Sequence, residues 1–359
     1  MKDTKNHHLR KTRVLGMRLL GLLLCCALFL TGCTSVQENL EEQEKSWQEQ
    51  PTAAQEPKEP VSMPTPYVYT FQPHVIAREF LQIYGEEVKE EFFRFCDALL
   101  NMEASFPCPS RERFYQLLAI SNSCFPLAQE LIDKEKTTLS NGVCHLAYRY
   151  EEEELAGHIE AFQRKVSDTI SAAIPYEAPG FVQAMALFTA VARKDTYDET
   201  HTLEDALKTR SYRAIMEDRG ICQEIAGEYI YYLLQVGINA ITCSSLNEDQ
   251  SEAHEWVLVQ LDGEYYHMDP TAAISYPDSL YFFGMDDIQR EYYGNFPMGQ
   301  YTYADSDQLP REAYAVTSRR FEKLWLAETY KIDYEEQSIL VTEIRTGDQH
   351  RLAFSDFAK

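Results

Sequence analysis

The dipeptide Asp262-Gly263 stands between two apolar runs, Ala253 to Leu261 and Glu264 to Pro270. The tight turns that match strand twist need positive φ at both central positions, which Asp and Gly tolerate. The segment therefore predicts an antiparallel hairpin with Leu261 opposite Glu264, and that register fixes every pair behind it. Asp269 falls opposite Trp256, and His254 lies two residues along on the face of Trp256. The His254 and Asp269 side chains are then diagonal neighbours, within reach of an imidazole–carboxylate hydrogen bond. His267, opposite Leu258, shares that face and is a second candidate base. It lies on the turn side of Asp269, so His254 is preferred. Singly, a histidine or an aspartate at such positions is as readily structural as functional; the pair carries the signal.

Upstream, Cys222, Ile225, Ala226, Tyr229, Ile230, Leu233 and Leu234 recur at helical spacing. They predict one apolar face of an amphipathic helix of about four turns. Gly220 permits a tight entry, and Gly237 suits a left-handed cap at the far end. Cys222 is then the first residue of the helix. Free amides and the dipole at that end favour a thiolate. Cys222 could equally be the first core residue of its helix; its downstream partners decide between the two.

Cysteine, histidine and aspartate in this order support nucleophilic catalysis. A thiol with an ordinary pKa of about 8.5 is little ionised at neutral pH. A neighbouring imidazole takes its proton and holds the resulting ion pair. A carboxylate on the other ring nitrogen fixes the tautomer and steadies the imidazolium. The thiolate attacks an amide carbonyl, giving a thioester that water or an amine opens. The Cys222 amide is one candidate oxyanion donor, with Gln223 and Trp256 as further oxyanion or cleft candidates.

The stretches GICQEIAGEYIYYLLQVGINA and AHEWVLVQLDGEYYHMDPTA resemble the core of the bacterial transglutaminase-like superfamily. The flanking TYDET at Thr196–Thr200 and YFFGMDD at Tyr281–Asp287 are similar to its flanking segments, and weaker similarity extends upstream through AYRYEEEE. The resemblance implies an α+β fold related to papain-type cysteine proteases, in which the helix carrying the thiol packs on an antiparallel sheet carrying His and Asp. It assigns the triad to Cys222, His254 and Asp269, with a protein or peptide as substrate and no cofactor. Some animal members use calcium; the bacterial resemblance implies none. The chain departs from the family at Glu224-Ile225 after Cys222-Gln223, and at Glu255-Trp256-Val257 after His254. In the hairpin register Glu255 points to the face opposite His254. Sequence assigns Glu224 no role. These departures bear on substrate choice rather than on the triad.

At the N-terminus, Lys2, Lys5, Arg10, Lys11, Arg13 and Arg18 precede an apolar run from Leu19 to Leu30. The run is short for a permanent span and fits a secretory signal. Leu30-Thr31-Gly32-Cys33 resembles a bacterial lipobox, which implies diacylation of Cys33 after cleavage and an extracytoplasmic protein held at the membrane by lipid. A core helix that ends in Gly-Cys is the alternative. From Thr34 to about Pro66 the chain is rich in Glu, Gln and Pro, a composition that predicts a disordered tether. A short amphipathic helix at Glu38–Gln50 is a second reading of part of it. The expected organisation is a signal at 1–32, a tether at 33–66, a mainly helical region at 67–180, the transglutaminase-like core at 181–287 and a C-terminal extension at 288–359.

Within 67–180, Ile76, Phe80, Leu81 and Tyr84, then Phe92, Phe93, Cys96, Leu99 and Leu100, recur at helical spacing. Gly142–Tyr150 alternates as a strand would, and Glu151–Glu154 suits a helix start. After Asp287 come a Tyr-rich loop at Tyr292–Tyr303, a helix around Glu312–Leu326, and strands at Thr329–Tyr334 and Ser338–Ile344 that would extend the core sheet. The tyrosines either line a glycan or peptide groove or pack their loop.

Fifty-seven acidic residues against 33 basic give a formal charge of -24, which argues against nucleic-acid binding through phosphates. Nine cysteines are too few for a disulfide framework in 359 residues. Cys96, Cys108, Cys124, Cys144 and Cys243 match no zinc spacing and read better as buried thiols than as disulfides. No metal or nucleotide motif is present. The leading function is a cysteine enzyme acting on amide bonds. A non-catalytic envelope binding module on the same fold and a structural lipoprotein are the alternatives.

Overall fold

The computed structural model describes residues 63–200, 210–247, 253–293 and 296–359. The signal, the lipobox cysteine and nearly all of the tether lie outside the described residues.

The N-terminal helices are α1 (Arg78–Tyr84), α2 (Val88–Leu100), α3 (Arg111–Cys124), α4 (Leu127–Leu131), α5 (Glu152–Ala173) and α6 (Gly180–Lys194). Phe92, Cys96 and Leu99 of α2 are fully buried, as their spacing predicts. The first turn of α5 carries Glu152, Glu153 and Glu154, where the dipole favours acids. A small antiparallel sheet of β1 (Ser105–Pro107), β2 (Thr138–Ser140) and β3 (Val143–His145) interrupts the helices, in the order β1-β3-β2. The strand expected over Gly142–Tyr150 is thus confined to Val143–His145. Beyond it, the Ala147 amide donates to the Thr137 hydroxyl, and pairing resumes only as an isolated antiparallel bridge between Tyr148 and Ile132.

Next come β4 (Thr196–Tyr197), α7 (Ser211–Glu217), β5 (Arg219–Gly220) and α8 (Cys222–Gln235). Strands β4 and β5 pair in parallel, which sets Asp198 beside the entry to α8. Helix α8 packs on β6 (Ala240–Leu246) and β7 (Ala253–Leu261) and is covered by α3, α6 and α7. The sequence predicts one apolar face, yet Glu228, Tyr231 and Tyr232 on the remaining faces are also fully buried. A helix covered on every side is the central element of its domain. Close approach to α7 requires glycine at position 227, where a Cβ would lie 1.9 Å from Ser211 Oγ. Gly237 ends the helix with φ +80°, the left-handed cap its position predicts.

The hairpin of β7 and β8 (Glu264–Met268) has the expected register, from Leu261↔Glu264 to Val257↔Met268. Asp262 and Gly263 adopt φ of 51° and 85°, as the turn requires. Short helices α9 (Pro270–Ala273) and α10 (Asp287–Tyr292) follow. Strand β9 (Thr302–Tyr303) joins the far edge, so the core sheet runs β8-β7-β6-β9, antiparallel throughout.

The C-terminal strands β10 (Ala327–Asp333), β11 (Ser338–Glu343) and β12 (Gln349–Ala353) form a separate three-stranded sheet rather than an extension of the core sheet. The helix expected around Glu312–Leu326 is replaced by two 3₁₀ turns, Arg311–Tyr314 and Glu322–Leu324, flanking extended chain. Asp287 is the reason. Its side chain accepts from the Val316 amide at 3.0 Å and its own amide donates to the Val316 carbonyl at 2.9 Å. Both backbone groups of Val316 are therefore withdrawn from any helical ladder.

Candidate active site

Local sequence fixes where Cys222 stands. Glu224, two residues into α8 and 2% exposed, turns back to accept from the Ile221 amide at 3.1 Å. This is the carboxylate half of a capping box. The same carboxylate accepts from the Arg210 amide and pairs with the Arg213 guanidinium, which also binds Asp198 at 2.8 Å. Asp198, held by Arg219 and Arg213, lies well below the usual carboxylate range. Glu224 thus ties the start of α8 to α7 and to the strand pair at its entry. A side chain at position 220 would come within 3.1–3.2 Å of Glu224, so Gly220 leaves it room.

His254 Nε2 and Asp269 Oδ2 are 2.8 Å apart, the diagonal contact that the hairpin register predicts. Asp269 Oδ1 accepts from the Ala272 amide at 3.0 Å, so the carboxylate also caps α9. With Nε2 committed to Asp269, Nδ1 is the ring nitrogen left for the thiol. Burial works against an imidazolium at His254. The Asp269 carboxylate and the Cys222 side chain outweigh it and raise the pKa to about 9. Burial likewise works against ionised Asp269, but His254 and Arg290 hold its pKa down at about 2. The pair is therefore imidazolium and carboxylate at neutral pH.

Cys222, His254 and Gln223 line one cleft of about 430 Å³, with the ends of β6 and β7 and the segment 299–305 as its walls. Among the described residues Cys222 is the cysteine that is not buried; the other five are buried free thiols. Burial pushes Cys124 and Cys144 up to about 12.

His267 lies elsewhere in the scheme. It is fully buried, accepts from Trp256 Nε1 at its Nδ1 (2.9 Å) and donates from Nε2 to Asp287 at 2.8 Å. Burial lowers its pKa, and this tautomer is neutral. Trp256, a sequence candidate for the cleft, is also fully buried, with its indole N–H spent on His267. It supports His254 from below, with ring centroids 5.8 Å apart, and Phe296 stacks on the same imidazole at 5.5 Å. Tyr301 and Tyr303 are buried and pack their loop, while Gly299, Gln300 and Thr302 face the cleft.

Three residues of the site carried no signal in the local sequence. Arg290 lies over the Trp256 ring at 4.0 Å and pairs with Asp269 at 3.3 Å. Glu255, expected on the face away from His254, lines the same cleft as Cys222, and Asp305 joins it there. All three depend on contacts that only the folded chain brings together. Among the described residues no group of three or more His, Cys, Asp or Glu is arranged to hold a metal ion.

Residues 166–270 match the model of the transglutaminase-like superfamily core, a span that holds Cys222, His254 and Asp269. The fold is accordingly α+β with a transglutaminase-like core. No curated protein matches the chain. Among solved structures, it is similar to one described as a TGase, with 12% identity over 39% of this chain and 44% of that one, at a TM-score of 0.29. It is also similar to a Cytophaga hutchinsonii protein described as a candidate cysteine protease, with 14% identity over 36% and 50% of the two chains, at a TM-score of 0.25. The chain spans about half the length of each structure or less. Likeness at this level bears on none of the chemistry.

Proposed function

We propose that the chain is a cysteine enzyme acting on amide bonds of protein or peptide substrates. The observation that carries this reading is the 2.8 Å His254–Asp269 bond, opening on the cleft that holds Cys222 at the start of α8. In the working form the Cys222 proton resides on His254 as imidazolium, and the thiolate attacks the substrate carbonyl carbon. The negative charge that develops on the carbonyl oxygen meets the amide end of α8, where the Cys222 N–H is the donor at hand. Collapse breaks the carbon–nitrogen bond, the imidazolium gives its proton to the leaving amine, and a thioester remains. Water or a second amine, deprotonated by His254, then opens the thioester and returns the thiol. Hydrolysis and transfer share every residue and differ only in that last nucleophile.

We further propose that Cys33 carries the lipid anchor and that the enzyme works at the extracytoplasmic face of the membrane. Support comes from the basic start, the apolar run and the Leu30-Thr31-Gly32-Cys33 sequence. Cys33→Ala should move the protein from the membrane fraction to the soluble one; unchanged fractionation would remove the anchor.

The test of the enzyme is iodoacetamide labelling of Cys222 from pH 4 to 9, followed by mass spectrometry. Five buried thiols make this cysteine the selective target among the described residues. Fast labelling at pH 6 that His254→Ala abolishes is the expected result. Labelling that rises only near pH 8.5 and ignores the variant leaves a binding module on this fold.

A further inference from the structure

The cleft beside Cys222 holds more acid than the triad uses. Glu255 sits on β7 opposite Ser244 and is 5% exposed. It lines the cavity, yet among the described residues its carboxyl has neither a hydrogen bond nor an ion pair. Burial, with Asp305 and Cys222 nearby, raises it well above the usual carboxylate range. A buried carboxyl facing a polar cavity with no partner is costly unless a ligand completes it.

Asp305 reaches the same cavity from the turn after β9. Ala304 and Asp305 both have φ of 51°, a left-handed conformation disfavoured for residues with a Cβ. Neither is the glycine that such a turn prefers. The Ala304 amide donates to the Thr242 carbonyl at 3.0 Å, and Tyr303 bridges Ser306, so the turn is held in place by its neighbours.

One guanidinium, Arg311, also lines the cleft. Its Nε donates to the Tyr301 carbonyl at 2.8 Å and its Nη1 to the Gly299 carbonyl. It forms no ion pair with Glu255 or Asp305 among the described residues. The His254 ring is spent on Asp269 and Cys222. Among the described residues the cleft thus sets two carboxyl groups without partners, Glu255 and Asp305, against one guanidinium whose donors go to backbone carbonyls.

We infer that this cleft is a subsite for a primary ammonium group of the substrate, held between Glu255 and Asp305. The inference rests on the enzyme reading above and narrows its substrate to chains that carry an ammonium close to the scissile amide. A peptide N-terminus and a lysine-type side chain both supply that group. An ammonium has three N–H donors, enough to engage both carboxylates and a neighbouring Ser244 or Thr302 hydroxyl. Its arrival displaces the proton from Glu255 to solvent and leaves a charge-assisted pair in a largely buried place.

The test compares alkylation of Cys222 by 2-bromoethylammonium, neutral iodoacetamide and anionic iodoacetate at pH 6.5. In each case the Cys222 sulfur forms a bond to carbon and the halide leaves. The rate with the cation should saturate, and its ratio to the iodoacetamide rate should fall about tenfold in Glu255→Gln and in Asp305→Asn, the loss expected of one charge-assisted contact. A ratio unchanged in both variants overturns the subsite, because Gln at 255 keeps a donor and an acceptor and removes only the charge. Protection of Cys222 from iodoacetamide by alaninamide against Nα-acetyl-lysine amide assigns the ammonium to a peptide terminus or a side chain. Equal protection by neutral acetyl-alaninamide also overturns it. If all three reagents label only near pH 8.5, the enzyme reading fails, and the ratio at that pH still decides for or against the cation subsite.

Discussion

The Arg290 guanidinium stands 3.3 Å from the Asp269 carboxylate, and each side chain is 1% exposed. It rests on the Trp256 ring at 4.0 Å and donates to the Tyr293 carbonyl. A positive charge here has two effects of opposite value to His254. It keeps Asp269 ionised, which favours the imidazolium, and it repels the imidazolium directly. Arg290→Met should therefore move the step of the Cys222 labelling profile that follows His254 deprotonation, the high-pH limb, to higher pH, since the repulsion is lost while His254 and Ala272 still hold Asp269. It should also destabilise the fold by about 3 kcal/mol, the scale for removing one member of a buried pair. Arg290→Lys keeps the charge and loses the planar stack on Trp256. Its labelling profile should stay in place while stability falls; a profile that moves as far as in Arg290→Met would mean that packing, not charge, sets the limb.

The His254–Asp269 pair makes stability depend on pH in a defined window. His254 is raised from an ordinary 6.5 to about 9, so its contribution is fully present below pH 6.5 and is lost as pH rises through about 9. A shift of this size corresponds to about 3 kcal/mol at most. Asp269 is depressed from 3.8 to about 2, so the same pair also weakens as pH falls from 3.8 towards 2. Urea denaturation of the native chain and of His254→Gln at pH 6 and pH 10 measures the alkaline part. The stability difference between the two should shrink at pH 10. A constant difference would show that the imidazolium is not held in the folded state.

His267 offers the matching control, since it shares a hairpin face with His254 and differs in surroundings. Its Nδ1 accepts from Trp256 and its Nε2 donates to Asp287, so the ring works as a neutral linker. His267→Ala leaves the indole N–H without an acceptor and Asp287 Oδ1 without a donor, while Oδ2 keeps the Val316 amide, at a cost of about 2–4 kcal/mol. The midpoint of Cys222 labelling against pH should not move. Because burial lowers the His267 pKa, the native chain should lose stability as pH falls below 6.5, and this loss should be absent from the variant. A labelling midpoint displaced as in His254→Ala would make His267 part of the proton path.

What the sequence revealed of this site, and what it hid, divides along local and distant contacts. The hairpin was legible because Asp262-Gly263 fixes a turn and the turn fixes the register, so the His254–Asp269 contact follows from counting. The position of Cys222 was legible because helical spacing and Gly220 mark where α8 begins. The burial of α8 on every side was hidden, because Tyr231, Tyr232 and Glu228 are covered by helices far away in sequence. Residues 312–326 have helical spacing, yet Asp287 captures both backbone groups of Val316. Arg290 and Asp305 reach the site from beyond the core motifs, and no period or turn signal announces them. Glu255 was placed on the far face by strict alternation, and the fold brings that face to the rim of the same cleft.

Glu224 was the residue without a role, and its contacts now give it one. It is 2% exposed and satisfies the Ile221 amide, the Arg210 amide and the Arg213 guanidinium together. Glu224→Ala would leave Arg213 half paired and two backbone donors without acceptors, costing about 3–4 kcal/mol. Glu224→Gln keeps an acceptor for the amides and loses the charge, so it should cost less, about 1–2 kcal/mol. Since Glu224 sets the first turn of α8, Cys222 labelling at pH 6 should slow in the Ala variant and recover much of its rate in the Gln variant. Thermal denaturation and labelling on the same two proteins measure both. Equal labelling in the two variants, with stability ordered as expected, would mean that Glu224 holds the fold without setting the thiol.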